Sequence, residues 1–218
     1  MYQNVIFDLD GTLLNTLDDL ADAGNWVCAQ HGWPTHEVEE FKYFVGNGLA
    51  KMIERISPEG FRSPEQVAAT LAEFTPYYDA HKADKTAPYA GIKEALEALK
   101  AAGVRLAVLT NKADALARSV MEHYYPGLFP VVQGAVPGFP TKPDPALLLQ
   151  LMEKLGADRE STLFVGDSNV DIRTAENGGL RSCGVLWGFR TRQELLEEGA
   201  DYLAETPEQL ARLILAEI

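Results

Sequence analysis

The chain reads as an α/β protein, a doubly wound parallel sheet with a helical insertion after its first strand. Three observations predict this. The runs Val5-Ile6-Phe7, Leu106-Ala107-Val108-Leu109, Leu163-Phe164-Val165 and Val185-Leu186-Trp187, with a weaker Val131-Val132, are apolar at every position, as strands buried on both faces are. Amphipathic stretches separate them, giving the order βαβα. Residues 15–87 form one connection of 73 residues with several helical patterns and no convincing strand, far longer than an ordinary strand-to-helix link.

The helices are set by spacing and punctuation. Ile92, Ala95, Leu96 and Leu99 share a face before a capping Gly103, and Leu147, Leu148, Leu151 and Leu155 repeat the pattern before Gly156. Thr206-Pro207-Glu208-Gln209 supplies an N-cap, a proline at the first helical position and a capping-box Gln. In the insertion, Leu17, Leu20, Gly24, Val27, Cys28 and His31 share one face, Leu49, Met52, Ile53 and Ile56 a second, and Val67, Leu71 and Phe74 begin a third. About four helices fit between breaks at Gly32-Trp33-Pro34, Gly46-Asn47-Gly48 and Ser57-Pro58-Glu59-Gly60. The expected organisation is a core of residues 1–14 and 88–218 and a helical domain of residues 15–87, with tethers near 14–16 and 86–91 running side by side as a hinge.

Composition excludes several classes of partner. Asp and Glu number 32 against 19 Lys and Arg, a net charge of −13, which repels nucleic acid and anionic membranes. An anionic ligand must therefore be held by local cations, which screening over about 8 Å permits. No apolar run approaches the roughly 18 residues of a membrane span. Met1-Tyr2-Gln3-Asn4 carries no basic region followed by an apolar stretch, so a cytoplasmic chain starting at Met1 is expected. Cys28 and Cys183 read as free thiols of a reducing compartment, and His31, His36, His81 and His123 lack the spacing of a zinc site.

The chemistry lies at the ends of the apolar runs. The first ends in Asp8-Leu9-Asp10-Gly11-Thr12, the second in Thr110-Asn111-Lys112 and the third in Gly166-Asp167-Ser168-Asn169-Val170-Asp171, while Thr141-Lys142-Pro143-Asp144-Pro145 opens a helix between the last two. Ligands of open α/β sheets bind beyond the carboxyl ends of the strands, so all four clusters point to one crevice. Asp8 and Asp10 are two apart and can face the same way; Asp167 and Asp171 are four apart, on one face of a helical turn. Carboxylates gathered so closely repel one another, and a hard divalent cation such as Mg²⁺ accounts for them better than zinc, given oxygen ligands without Cys or His. Lys142, Thr110, Asn111 and the amides after Asp10 could surround a phosphoryl group. An Asp can be the nucleophile that accepts it, and a second can serve as acid and base. Singly, each cluster is ordinary: a turn, a cap, a solvated lysine, a capped helix start. Their occurrence in this order at consecutive strand ends is what points to chemistry.

Asp8-Leu9-Asp10-Gly11-Thr12-Leu13, Thr110-Asn111, Lys142-Pro143 and Gly166-Asp167-Ser168-x-x-Asp171 resemble the four motifs of the haloacid dehalogenase superfamily of phosphatases, across essentially the whole chain. The resemblance implies a Rossmann-like core with a helical cap of the first (C1) type. Val45-Gly46-Asn47-Gly48-Leu49, Trp187-Gly188-Phe189-Arg190 and Gly199-Ala200-Asp201 are similar to the phosphoglycolate phosphatase branch. The family pattern implies Asp8 as nucleophile and Asp10 as general acid/base. It implies Mg²⁺ on Asp8, the Asp10 carbonyl and Asp167 with Asp171 in support, and a phosphoryl group held by Thr110, Asn111 and Lys142. Asn15-Thr16 departs from the branch, which more often has an acidic residue followed by Ser.

Substrate choice is expected to fall to the cap. Gly46, Asn47 and Gly48 offer backbone that a small ligand can approach. Lys42, Lys51 and Arg55 could meet a substrate carboxylate, and Arg190 and Arg192 follow a core strand. The expected partner is a small phosphorylated metabolite, phosphoglycolate first, with the chain a monomer or homodimer. A phosphosugar mutase or sugar phosphatase would share the motifs. A dehalogenase would not be expected to carry Asp10, and a phosphonate hydrolase would need a cap lysine such as Lys42 or Lys51 to form a Schiff base. A receiver-like signalling domain also forms phospho-aspartate, but the long insertion and Asp8-x-Asp10 favour turnover. No Gly-x-Gly-x-x-Gly follows the first strand to favour a dinucleotide.

Overall fold

A computed structural model describes residues 1–216. The elements run β1 (Asn4–Phe7), β2 (Leu14–Asn15), α1 (Leu17–Gln30), α2 (Val38–Phe44), α3 (Leu49–Ile56), α4 (Pro64–His81), β3 (Ala87–Pro88), α5 (Ile92–Ala101), β4 (Arg105–Ala113), α6 (Asp114–Tyr124), β5 (Val131–Ala135), α7 (Ala146–Leu155), β6 (Thr162–Gly166), α8 (Asn169–Gly178), β7 (Arg181–Val185), α9 (Arg192–Glu197), β8 (Tyr202–Ala204) and α10 (Pro207–Leu215). The chain divides into two compact units, Met1–Leu14 with Pro88–Ile218, and Asn15–Ala87.

The first unit is built on a six-stranded sheet in the order β5-β4-β1-β6-β7-β8, with every pairing parallel. Successive residues of a strand face opposite ways, and the core divides accordingly. Val5, Phe7, Leu106, Val108, Leu163 and Val165 pack with Leu96, Leu99, Val120, Leu210 and Ile214 of α5, α6 and α10. Ile6, Ala107, Leu109 and Phe164 pack on the other side with Leu147, Leu148 and Leu151 of α7 and Ala175 of α8. Both faces of the central strands are covered, which is why their sequences are apolar without alternation. Gly156 ends α7 in the left-handed conformation, and the Thr206 side chain caps α10 by accepting from Gln209 N–H.

The second unit holds α1 to α4 and a short 3₁₀ turn at Glu59–Phe61. Leu20, Val27, Phe41, Met52, Ile53, Ile56, Phe74 and Tyr78 are buried in it. Both carboxylate oxygens of buried Asp19, in the first turn of α1, accept N–H bonds: Oδ1 from Lys85 at 2.9 Å and Oδ2 from Thr86 at 2.8 Å. The segment that leaves the unit is thereby tied to the helix that enters it. The boundaries between units fall within β2 and β3, which pair as a two-stranded ribbon.

Several sequence expectations need correction. Val185-Leu186-Trp187 marks only the end of its strand, because β7 is Arg181–Val185. Its middle is the small, polar Ser182-Cys183-Gly184, and a Cβ on Gly184 would sit 3.0 Å from side-chain atoms of both Leu195 and Leu203, so tight packing rather than bulk defines this strand. The edge strand β8 carries no apolar signal in the sequence, since two of its three residues are only half-buried. Thr110, Asn111 and Lys112 lie within β4, across a register irregularity between Leu109 and Ala113, and not after it. His31 leaves the buried face of α1 to stack on Trp33 and bond Glu73, and in α4 the buried position next to Leu71 is taken by Thr70.

Candidate active site

Strand register brings the polar clusters level. Phe7 of β1 pairs with Val108 of β4 on one side and Val165 of β6 on the other. Asp8, Thr110 and Asp167 therefore emerge together at the carboxyl edge. The chain progresses from β1 through β4 to β5, then from β6 to β8 on the other side, so β1 sits at the switch point where such folds bind ligands.

Asp8, Asp167 and Asp171 are all buried, and one oxygen from each lies within 4.8 Å of the others. Lys142 Nζ enters this cluster 2.8 Å from Asp8 Oδ1 and 2.6 Å from Asp171 Oδ1. Burial pushes Asp8 up to about 7, with the Lys142 charge opposing and Asp171 and Asp10 adding to the rise. Burial and the charges of Asp171 and Asp8 push Asp167 up to about 8, against the Phe189 N–H and the charge of Arg190. Burial disfavours the Lys142 ammonium, but Asp171 and Asp8 outweigh it and its pKa rises. Three carboxylates thus face one ammonium, an imbalance that a low-dielectric site does not tolerate without protons or a cation. With oxygen donors only, the cluster fits a hard divalent cation.

Neighbouring groups fix each member of the cluster. Asp167 accepts Thr12 Oγ1–H at 3.1 Å on Oδ1 and Phe189 N–H at 2.8 Å on Oδ2. Two glycines make room for it. A Cβ on Gly11, whose φ is +87°, would fall 2.3 Å from Asp167 Oδ2, and one on Gly188 would fall 2.2 Å from Asp167 Cβ. Trp187 Nε1–H donates to Thr12 O at 3.0 Å, joining the loops that carry these groups. Asp171 Oδ2 accepts Ser168 Oγ–H at 2.7 Å and Ser168 N–H at 3.0 Å in the capping box of α8. Asn111 grips the backbone of Lys142 twice, accepting its N–H at 2.8 Å and donating to its carbonyl at 3.1 Å. Thr110 Oγ1 accepts the N–H of Lys112 at 3.2 Å.

The structure gathers Asp8, Asp167, Asp171 and Lys142, with Thr110 and Asn111 on the adjoining strand. The Asp10 carboxylate is not part of the acidic cluster. It pairs instead with Lys112, whose Nζ lies 3.0 and 3.3 Å from its two oxygens. The sequence motifs assign no role to Lys112, Thr12, Ser168, Trp187 or the Phe189 amide. Ser168 three residues before Asp171 was legible as a capping box; the others depend on long-range contacts. Arg190 contributes positive charge near Asp167, whereas exposed Arg192 pairs with Glu205 at 2.5 Å.

In the helical unit, Arg55 donates to the carbonyls of Tyr43 and Phe44 at 3.0 and 2.9 Å and to Asn47 Oδ1 at 2.9 Å. This braces the Gly46-Asn47-Gly48 turn, where both glycines have positive φ. Lys42 pairs with Glu39 and Lys51 with Glu54, each at 2.7 Å.

A parallel α/β sheet with a buried acidic cluster and a lysine at its switch point defines an enzyme core suited to an oxygen-rich ligand. Residues 5–185 match the model of the haloacid dehalogenase-like hydrolases, and the chain belongs to that family. It is 34% identical over 218 residues to phosphoglycolate phosphatase of Cereibacter sphaeroides (strain ATCC 17029 / ATH 2.4.9), covering 96% of this chain and 98% of the relative. A crystal structure from Lactobacillus delbrueckii subsp. bulgaricus superposes with a TM-score of 0.93 at 32% identity, covering 99% of each chain. CbbY from Rhodobacter sphaeroides, solved as a D10N mutant with xylulose-1,5-bisphosphate, superposes with a TM-score of 0.79 at 25% identity, covering 95% of each chain.

Proposed function

We propose that the protein hydrolyses a small phosphomonoester through an aspartyl-phosphate on Asp8, with Mg²⁺ as the metal and phosphoglycolate as the preferred substrate. The observation that carries this is Asp8 held by Lys142 inside an acidic cluster with room for a divalent cation. The phosphoglycolate phosphatase relatives support the substrate.

The bound ion would be held by Asp8, Asp167 and the Asp10 carbonyl, braced by Asp171, and would offset the charge of the phosphoryl oxygens. The protein's own groups do the rest. Lys142 holds Asp8 in place and adds positive charge beside the incoming phosphate. An Asp8 oxygen forms a bond to phosphorus as the ester P–O bond breaks, and Asp10 gives its proton to the leaving oxygen. Asp10 then takes a proton from water as the water oxygen bonds to phosphorus and the Asp8–phosphorus bond breaks. Inorganic phosphate leaves and both acids return to their starting states. The Thr110 hydroxyl and the Asn111 amide hold the phosphoryl oxygens.

The helical unit is proposed as the cap, with Gly46, Asn47 and Gly48 selecting the leaving group. A cytoplasmic location fits the two buried free thiols, Cys28 and Cys183. The proposed assembly is a monomer or homodimer. The sugar bisphosphate bound to CbbY favours a second reading, a sugar phosphatase on the same chemistry. Phosphate release across a panel of phosphomonoesters, with Mg²⁺ or with EDTA, tests both. We expect the highest kcat/KM on phosphoglycolate and none with EDTA. Preference for a sugar phosphate would overturn the substrate, and turnover indifferent to EDTA would overturn the metal.

A further inference from the structure

We infer that Lys112 is the positioning residue for the general acid/base, holding the Asp10 carboxylate apart from the acidic cluster and aimed at the substrate's leaving oxygen. The inference rests on the role given to Asp10 above. Lys112 lies in β4, and its side chain is 1% exposed against 14% for that of Asp10. Burying an ammonium is costly unless it is paired, and Lys112 Nζ meets both Asp10 oxygens, at 3.0 and 3.3 Å. Its backbone is fixed as well, since its N–H donates to Thr110 Oγ1.

The two buried lysines sort the carboxylates of the crevice. Lys142 takes Asp8 and Asp171, and Lys112 takes Asp10. Each of these three acids thereby keeps a separate place, although the charges of Asp171 and Asp10 both press on Asp8. Removing Lys112 takes away the ammonium that meets both Asp10 oxygens. An acid/base group displaced by about 1 Å loses on the order of 100-fold in rate, so geometry alone gives Lys112 a kinetic role. Lys112 makes and breaks no bond in the reaction.

The test compares Lys112→Met, Asp10→Asn and the double variant in the full chain, with Mg²⁺ and with phosphoglycolate and p-nitrophenyl phosphate as substrates. Asp10→Asn should lower kcat on phosphoglycolate by on the order of 100-fold or more. Lys112→Met should lower it by on the order of 10- to 100-fold with KM held within about twofold. On p-nitrophenyl phosphate, whose leaving group needs little protonation, the bond-breaking burst should be nearly untouched in both single variants. The double variant should be no slower than Asp10→Asn, because a residue acting only through Asp10 has nothing left to act on. Losses that multiply in the double variant, or a raised KM with unchanged kcat, would overturn the inference. Wild-type turnover by Asp10→Asn would overturn the acid/base assignment and the inference with it. Should Lys112→Met fail to fold, Lys112→Gln, which keeps a donor, carries the same comparison.

Discussion

Nζ of Lys142 lies 2.8 Å from Oδ1 of Asp8, and both residues are almost fully shielded from solvent. Replacing Asp8 by Asn preserves size and removes both the charge and the oxygen proposed as nucleophile. Asp8→Asn should keep the fold, because it also relieves repulsion with Asp171 and Asp10. Turnover should fall by on the order of 10⁴-fold or more, as for other lost nucleophiles. Phosphate release together with a thermal melt checks both halves; measurable turnover from a folded variant at near wild-type rate would remove Asp8 from the mechanism.

The same contact gives a stability prediction. Lys142 is the ammonium paired with both Asp8 and Asp171. Lys142→Met leaves buried carboxylates unopposed, a change that typically costs about 3–5 kcal/mol. Urea unfolding with and without Mg²⁺ should show a large loss that the cation partly restores. A loss below about 1 kcal/mol would mean the pair is far better solvated than its burial indicates.

The acidic cluster also sets a pH dependence. Asp8 and Asp167 are pushed up to about 7 and about 8, first of all by burial, from about 4 in an unfolded chain. The native metal-free protein therefore holds more protons than the unfolded chain between about pH 4 and pH 8, and its stability falls as the pH rises through that window. A cation among the carboxylates takes the place of those protons. The Tm gap between Mg²⁺ and EDTA samples should be small at pH 5 and widen at pH 8. A gap that narrows with rising pH would contradict this assignment of the cluster.

Within the helical unit, the Asp19 carboxylate binds the N–H groups of Lys85 and Thr86. Asp19→Ala removes a charged acceptor from these donors and should cost about 2–3 kcal/mol. Chemical denaturation measures this directly. Hydrogen exchange should show faster protection loss at Lys85 and Thr86 than in the Asp8 segment, and unchanged exchange there would exclude the anchoring role.

Much of this protein was determined by its sequence. Runs such as Val5-Ile6-Phe7 announce buried parallel strands because both of their faces are covered, and the long interval after Asp10 announces an inserted helical segment. Asp8, Asp10, Asp167 and Asp171 could be picked out because chemistry falls at strand ends, and strand ends are legible where apolar runs stop; Lys142 stood out because its Thr141-Lys142-Pro143 cluster opens a helix between them. Strands made of small or polar residues, such as Ser182-Cys183-Gly184, left no such mark, since their burial depends on partners far away in the chain. Tertiary structure alone decided how the charges are shared: Lys142 with Asp8 and Asp171, Lys112 with Asp10, and Asn111 on the Lys142 backbone. Pairing of this kind depends on distances of a few ångströms between segments from 29 to more than 100 residues apart, and the register of β1 against β4 and β6 brings the strands that carry Asp8, Asn111 and Lys112 level.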